Sequence, residues 1–163
     1  MQPVILGIDP SINHVGLVVC GAKRGDFLES KHIQPSKECV NSATKVTSIC
    51  FQLKKYLEES SFELSEIVIE HTRFFARNNN SSHAAAQKLN LVKGALYGVC
   101  LHYCESVHLV WVPGFSKENA NFLSTSFRVP KVTQHERDAF WLANTWCTAN
   151  TIIKKGWLES KEH

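Results

Sequence analysis

This 163-residue sequence lacks the features that distinguish membrane, secreted and multidomain proteins from an ordinary globular domain. No apolar run approaches the roughly 18 residues that a membrane span requires. The N-terminus lacks the basic start of a signal peptide, and Asp9 interrupts its apolar stretch. Internal repeats, low-complexity segments and interdomain linkers are also missing. We therefore expect a single domain over residues 1–163, located in the cytoplasm and without a membrane partner.

The six cysteines form no C-x-x-C pair, which removes a common spacing of zinc and redox sites. They fall inside segments whose pattern predicts strands or helices. We expect reduced and mostly buried thiols, and neither a disulfide framework nor a zinc site.

Charge is ordinary in amount but uneven in distribution. The chain carries 18 lysines and arginines against 15 acidic residues, a net charge of +3. The stretch from His71 to Arg137 holds eight of the cations and three of the acids, so it stands at +5 and the remainder at −2. A basic half suits a phosphate-rich ligand, although a solvated basic surface explains the same charges.

Hydrophobic periodicity predicts the order of strands and helices. We predict strands at Val4–Asp9, His14–Gly21, Phe27–Ile33, Glu66–Glu70 and Val107–Val112. We predict helices at 35–59, 81–105, 116–123 and 133–154. Three consecutive strands with short turns indicate an antiparallel meander, and the later crossovers indicate parallel strands. The predicted fold class is α/β, with a mixed five-stranded sheet flanked by helices.

Two of the predicted strands end on a carboxylate. Asp9 closes the first strand, just before Pro10 stops the ladder, and Glu70 closes the fourth. The ends of central strands are where α/β proteins place their chemistry. For Asp9, the alternative is an acid that only opens a turn.

A third acidic position lies at the start of the last predicted helix. Thr133 and Glu136 have the spacing of a capping box, which assigns Glu136 a structural role. His135 and Asp138 are three residues apart and so share a face of the helix. For a helix considered alone, Asp138 could simply complement the helix dipole, with His135 on the surface.

Together, Asp9, Glu70 and Asp138 supply three carboxylates, and His135 supplies an imidazole. Carboxylates that are brought together repel one another unless divalent cations neutralise them. Such oxygen ligands suit Mg²⁺ or Mn²⁺, and pairs of these ions serve phosphodiester hydrolysis. The polar loop from His71 to Asn80 adds two arginines and two phenylalanines. The pattern favours a metal-dependent nuclease.

These residues resemble the three motifs of the RuvC Holliday junction resolvases. The segment Ile5–Ser11, followed by Gly16, resembles the first motif, and Ile67–Asn78 resembles the second. His135-x-x-Asp138-Ala139 resembles the third, in the form where His replaces the first of two acids. Two departures are Ser11, where the motif usually has Gly, and a shorter basic segment before the last helix.

The resemblance implies a ribonuclease H-like fold, a homodimer and two Mg²⁺ ions, for which Mn²⁺ can substitute. It implies paired, symmetric nicking of four-way DNA junctions in recombination and repair, by a divergent member of phage or plasmid type. Asp9, Glu70, His135 and Asp138 would be the catalytic residues and metal ligands, and no nucleotide cofactor is implied. The long helix after the second motif would form the dimer contact at Gly94 and Gly98, unless it packs on its own sheet.

The resemblance also implies a set of DNA-binding residues in and around the second motif. They are Arg73, Phe74, Phe75, Arg77, Asn78, Lys88, Lys117 and Lys131. Phe74 or Phe75 resembles the aromatic wedge that stacks on a base at the junction centre, unless it only covers the sheet edge. Lys117 is the candidate for the phosphate-contacting lysine of the family, and the remaining cations are either phosphate contacts or solvated charges.

Three other functions fit the sequence to different degrees. An actin-like ATPase also has a strand-end aspartate, but it needs two lobes and Gly-rich nucleotide loops that this chain lacks. A non-catalytic junction-binding protein on the same fold would be expected to have lost an acid, whereas all three are present. A nuclease of relaxed preference, cutting flaps, forks or three-way junctions, fits the same residues.

Overall fold

The computed structural model describes residues 2–71, 80–111 and 117–159, with the side chains of all of these except 80–82, 117 and 150–159. Within these ranges the strands are β1 (Pro3–Asp9), β2 (Val15–Gly21), β3 (Phe27–Ile33), β4 (Glu63–Glu70) and β5 (Val107–Val110). The helices are α1 (Ser42–Glu59), α2 (Asn80–Cys100), α3 (Lys117–Ser126) and α4 (Gln134–Glu159).

The five strands form one mixed sheet in the order β3-β2-β1-β4-β5. The first three strands pair antiparallel, while β4 pairs parallel to both β1 and β5. The predicted architecture, an antiparallel meander extended by parallel strands and flanked by helices, is therefore confirmed.

Alternation along the strands divides the core into two layers. Leu6 and Ile8 of β1 belong to the larger cluster, which also contains buried residues of α1 and α2. Ile5 of β1 and Val68 of β4 belong to the second cluster, with Phe140 of α4. Because successive side chains of a strand point to opposite faces, Asp9 and Glu70 lie on the face that α4 covers.

Helix α1 begins at Ser42 and not at residue 35 as predicted. The reason is a stronger cap than Pro35-Ser36 offers, since the Asn41 side chain accepts a hydrogen bond from the Thr44 amide at 2.9 Å. The Ser36 amide instead donates to the Ser48 hydroxyl at 3.0 Å, which holds the preceding segment against the helix. Val40, predicted on the apolar face, is 85% exposed.

Helix α2 ends at Cys100 and not at residue 105. The amides of Tyr103 and Cys104 both donate to the Cys100 carbonyl, at 2.9 and 3.0 Å, which tightens the chain into a turn and returns Cys104 to the core. Smaller differences are that β2 begins at Val15, β4 begins at Glu63 and β5 ends at Val110.

The six cysteines are free thiols, as predicted, and four of them are buried. In the described part of the chain, no helix is long and apolar enough to cross a membrane.

Two glycines let α4 approach the sheet at backbone distance. A Cβ on Gly16 of β2 would lie 2.2 Å from the carbonyl carbon and oxygen of His135, and one on Gly7 of β1 would lie 2.5 Å from the Ala139 carbonyl oxygen. Real Cβ atoms do not come so close to backbone atoms. Glycine at these two positions therefore determines how near the start of α4 lies to β1 and β2.

We expect Gly16→Ala to destabilise the protein by about 1–3 kcal/mol, because the added methyl group must push the first turn of α4 away from β2. Gly21→Ala is the matched control on the same strand, since its Cβ would meet only the Gln2 side chain, at 3.7 Å. Urea unfolding measures both changes. Equal stability of the two variants would contradict this account of the α4 contact.

Candidate active site

Asp9 and Glu70 lie side by side at the carboxyl ends of two adjacent strands. Strands β1 and β4 are parallel, with Ile8 opposite Ile69, so the next residue of each strand is an acid. Asp9 is buried and Glu70 is half-buried. The sheet register therefore brings together two carboxyl groups that are far apart in the sequence.

Asp138 of α4 completes the acidic cluster. Burial, a hydrogen bond to Asp9 and the negative charges of Asp9 and Asp138 raise the pKa of Glu70 to about 8, although Lys93 opposes the shift. At neutral pH without a cation, Glu70 therefore carries a proton that it donates to the Asp9 carboxylate. The three acids predicted from separate motifs meet at one place.

His135 binds directly to this cluster. Its Nδ1 lies 2.6 Å from Asp9 Oδ2, which fixes the orientation of the ring. The His14 ring stacks on His135 with a centroid distance of 5.4 Å, and the His32 ring stacks on His14 at 5.3 Å. Burial, and then the positive charges of His135 and His32, lower the pKa of His14.

The first turn of α4 is held by the capping box predicted from the sequence. Glu136 Oε2 accepts hydrogen bonds from the Thr133 amide and hydroxyl, both at 2.8 Å. Its other oxygen accepts from the Ser30 hydroxyl of β3 at 2.7 Å. Glu136 therefore ties α4 to the sheet, as its predicted structural role requires, and Asp138 is left facing the cluster.

Lys93 and His71 belong to the site but were missed by the sequence reasoning. Lys93 is 3% exposed on α2, and its Nζ lies 3.2 Å from His71 Nδ1. Burial lowers the pKa of Lys93, while the nearby Glu70 carboxylate raises it. The signal that could have found Lys93 is its helical position beside Val92 and Leu96, two buried residues of the apolar face.

The donor groups are engaged with one another in this structure. In residues 2–71, 80–111 and 117–159, no three acidic, histidine or cysteine side chains are arranged as a ready set of metal ligands. Asp9 is bonded to His135, and Asp138 Oδ1 accepts a hydrogen bond from the side-chain Nε2 of Gln134 at 2.6 Å. The cluster thus has the donor chemistry of a metal site in a closed, hydrogen-bonded arrangement.

The structure describes only some of the predicted DNA-binding residues. Arg73, Phe74, Phe75, Arg77 and Asn78 lie outside the described residues, as does the side chain of Lys117. Lys88 is exposed on α2, and Lys131 is exposed just before α4. Both of these side chains are accessible to a ligand.

Comparisons with solved structures place this arrangement among known folds. A structure of Thermus thermophilus RuvC in complex with a Holliday junction substrate matches with a TM-score of 0.71 and 20% identity, over 92% of this chain and 96% of that one. The chain has the ribonuclease H-like fold of RuvC. A second structure of RuvC from the same organism matches with a TM-score of 0.68 and 19% identity, over 91% and 96% of the two chains. No protein-family model and no curated protein sequence matches the chain.

We expect the metal-free protein to lose stability as the pH rises from about 4.5 to about 8, because folded Glu70 retains a proton that the unfolded chain releases near 4.5. Each unit of pKa shift corresponds to about 1.4 kcal/mol. The free energy of unfolding of Glu70→Gln should therefore exceed that of wild type by a few kcal/mol at pH 8 and by little at pH 4. Urea unfolding in chelator measures the difference. Glu63→Gln, at the exposed start of the same strand, should keep the wild-type pH dependence, and an unchanged slope in Glu70→Gln would refute the assignment.

Proposed function

We propose that this protein is a DNA endonuclease that resolves four-way junctions by metal-dependent phosphodiester hydrolysis. The observation that carries the proposal is the meeting of Asp9, Glu70, Asp138 and His135 at the carboxyl ends of β1 and β4. Likeness to RuvC over more than nine-tenths of both chains supports it at the level of the fold. A solved RuvC complex contains a Holliday junction, which makes branched DNA the first substrate to test.

The donor set fits divalent cations. Three carboxyl groups and an imidazole are suitable ligands for Mg²⁺ or Mn²⁺, and the proton on Glu70 marks a local excess of negative charge. Asp9, Glu70, Asp138 and His135 would hold two such ions. When bound, the ions supply activation of the attacking water and stabilisation of charge on the phosphate.

The protein's own groups prepare the site. Asp9 orients the His135 ring through Nδ1, and the Gln134 amide fixes one oxygen of Asp138. Lys93, buried against Glu70, supplies a positive charge that favours the ionised carboxylate needed for metal binding. Ionising Glu70 would also remove its hydrogen bond to Asp9, which leaves two adjacent carboxylates that a cation can bind.

DNA binding would use the predicted loop residues and the basic surface around the site. Arg73, Arg77 and Asn78 would contact phosphates or bases near the junction, with Phe74 or Phe75 as the stacking wedge. Lys88, Lys117 and Lys131 would contact backbone phosphates. The exposure of Lys88 and Lys131 supports this role for the two of them.

We expect Asp9→Asn to abolish cleavage of a four-way junction while the affinity for that junction stays within a few-fold of wild type. The amide removes the negative charge that would hold the cations but leaves the surface unchanged. Gel assays of nicking in Mg²⁺ and of binding in chelator measure the two effects. Glu63→Gln is the control for loss of one acid, and full nicking by Asp9→Asn would contradict the assignment.

The substrate panel decides how strict the activity is. Four-way, three-way, flap and duplex DNA are incubated with the wild-type protein, with Mg²⁺ and with chelator, and the nicks are mapped. Symmetric paired nicks confined to the four-way junction are the expected result. Even cutting of all branched substrates would indicate the relaxed nuclease, and binding without cutting would indicate the junction-binding protein.

Paired nicking requires two active sites, and α2 offers a surface for a second copy. Gly94 and Gly98 are exposed on α2, and a Cβ on either would meet no atom within 4 Å in the described structure. Helix α2 packs on the protein's own sheet through Val92, Leu96 and Cys100, while the two glycines lie on its outer face. Leu91 on the same helix and Leu101, just after its end, are about half exposed, at 50% and 48%. Burial of this strip against its copy is the dimer contact that we propose.

We expect Leu91→Glu to shift the protein from dimer to monomer at micromolar concentration, because a desolvated carboxylate would face its copy across the interface. Leu28→Glu is the matched control, since Leu28 is 49% exposed on β3, at the opposite edge of the sheet from β5. Analytical ultracentrifugation reports both. A monomeric wild type, or an equal effect of the two substitutions, would contradict an α2 interface.

A further inference from the structure

A polar cavity lies between α3 and the start of α4. It has a volume of about 350 Å³ and is lined by residues of α3, of the connection to α4 and of α4 itself. Its polar lining residues are Asn121, Ser124, Thr125, Lys131 and Arg137. The lining therefore contains two cations and no acid. We call it the Arg137 cavity.

Arg137 is held in place without an ionic partner. Its Nη1 donates to the Val132 carbonyl at 2.7 Å, and its Nη2 donates to Gln134 Oε1 at 3.2 Å. The ion pairs found in the described ranges involve other side chains, so no described carboxylate neutralises this guanidinium. A fixed, unneutralised guanidinium at a cavity is the geometry with which arginine recognises phosphate.

Two buried polar atoms at this cavity also lack hydrogen-bond partners. Arg137 Nε has none, and neither has the hydroxyl of Ser124, a residue that is 5% exposed. Buried donors are normally paired, so two unpaired donors on residues that line the same cavity point to an acceptor absent from their surroundings. An anion with several oxygen atoms is the acceptor that suits an N–H donor, a hydroxyl and a lysine together.

The turn after α3, which forms one wall of the cavity, contains a non-glycine residue with a positive φ. Helix α3 ends in a turn in which the Val129 amide donates to the Ser124 carbonyl and the Arg128 amide to the Thr125 carbonyl. Arg128 has φ of +54°, a conformation that usually selects glycine. The chain thus keeps an exposed third cation next to the cavity, at a position where glycine would be easier to accommodate.

Gln134 connects the cavity to the acidic cluster. Its Oε1 accepts from Arg137, and its Nε2 donates to Asp138 Oδ1 at 2.6 Å. One amide side chain therefore separates the guanidinium from a proposed metal ligand. A phosphate group bound to Arg137 would therefore be separated by the Gln134 side chain from Asp138, where the cleaved phosphate is proposed to bind.

We propose that the Arg137 cavity binds a phosphate group, and that in the working protein this is a DNA backbone phosphate neighbouring the cleaved one. The identity of that ligand as DNA rests on the proposed function, whereas the phosphate chemistry of the cavity does not. Arg137 and Lys131 supply the charge, and Ser124 supplies a neutral donor.

The test measures binding without cleavage. Four-way junction and duplex DNA are titrated in chelator over a range of salt concentrations with wild type, Arg137→Gln, Lys131→Gln and the exposed-arginine control Arg24→Gln. A second arm follows thermal unfolding of the same proteins in inorganic phosphate, with sulfate-free chloride at equal ionic strength as reference. Lys131 is exposed, so Lys131→Gln tests the cavity even where Arg137→Gln weakens the fold.

We expect Arg137→Gln and Lys131→Gln each to weaken DNA binding about 5- to 10-fold and to reduce the salt slope by about 1, while Arg24→Gln changes neither. Stabilisation by inorganic phosphate that is lost in both cavity variants, with DNA binding unchanged, would support the phosphate site and overturn DNA as its ligand. No difference from Arg24→Gln in either arm would overturn the site. Because no arm requires cleavage, failure of the proposed nuclease activity would not be mistaken for failure of the cavity.

Discussion

The contact between the first turn of α4 and strand β2 at Gly16 is the constraint on which the rest of the site depends. Backbone meets backbone there, and only a residue without a side chain permits it. The capping box of Glu136 and its hydrogen bond to Ser30 hold the turn in that position. His135 and Asp138 follow from this contact, because both project from the turn that is pressed against the strand ends.

That packing has an electrostatic cost. Two carboxyl groups at adjacent strand ends and a third from α4 share a partly desolvated space, and the raised pKa of Glu70 measures the conflict. Lys93, His135 and Gln134 offset part of it with a charge and two hydrogen bonds. An arrangement that stores negative charge in this way is unfavourable for a merely structural cluster and favourable for one that receives cations. This contrast is the physical basis of the proposed nuclease function.

The two proposed binding surfaces differ in chemistry. The exposed strip of α2 is apolar and open, which suits a second copy of the chain. The Arg137 cavity is cationic and partly buried, which suits phosphate. Since Gln134 joins that cavity to Asp138, occupation by a phosphate would bear directly on a proposed metal ligand. Recognition of DNA and assembly of the catalytic cluster would then be coupled through one amide side chain.

The sequence predicted the order of the strands along the chain, the meander, the capping box and the three acidic positions. These could be predicted because periodicity, caps and strand ends are local properties. The predicted start of α1 and end of α2 were wrong. The Asn41 cap sets the start of α1, and the turn after Cys100 ends α2. Only the tertiary structure decided that Lys93 is buried beside Glu70, that His135 binds Asp9 and that Arg137 lines a cavity. These contacts join residues of different elements, and sheet register and helix docking determine them.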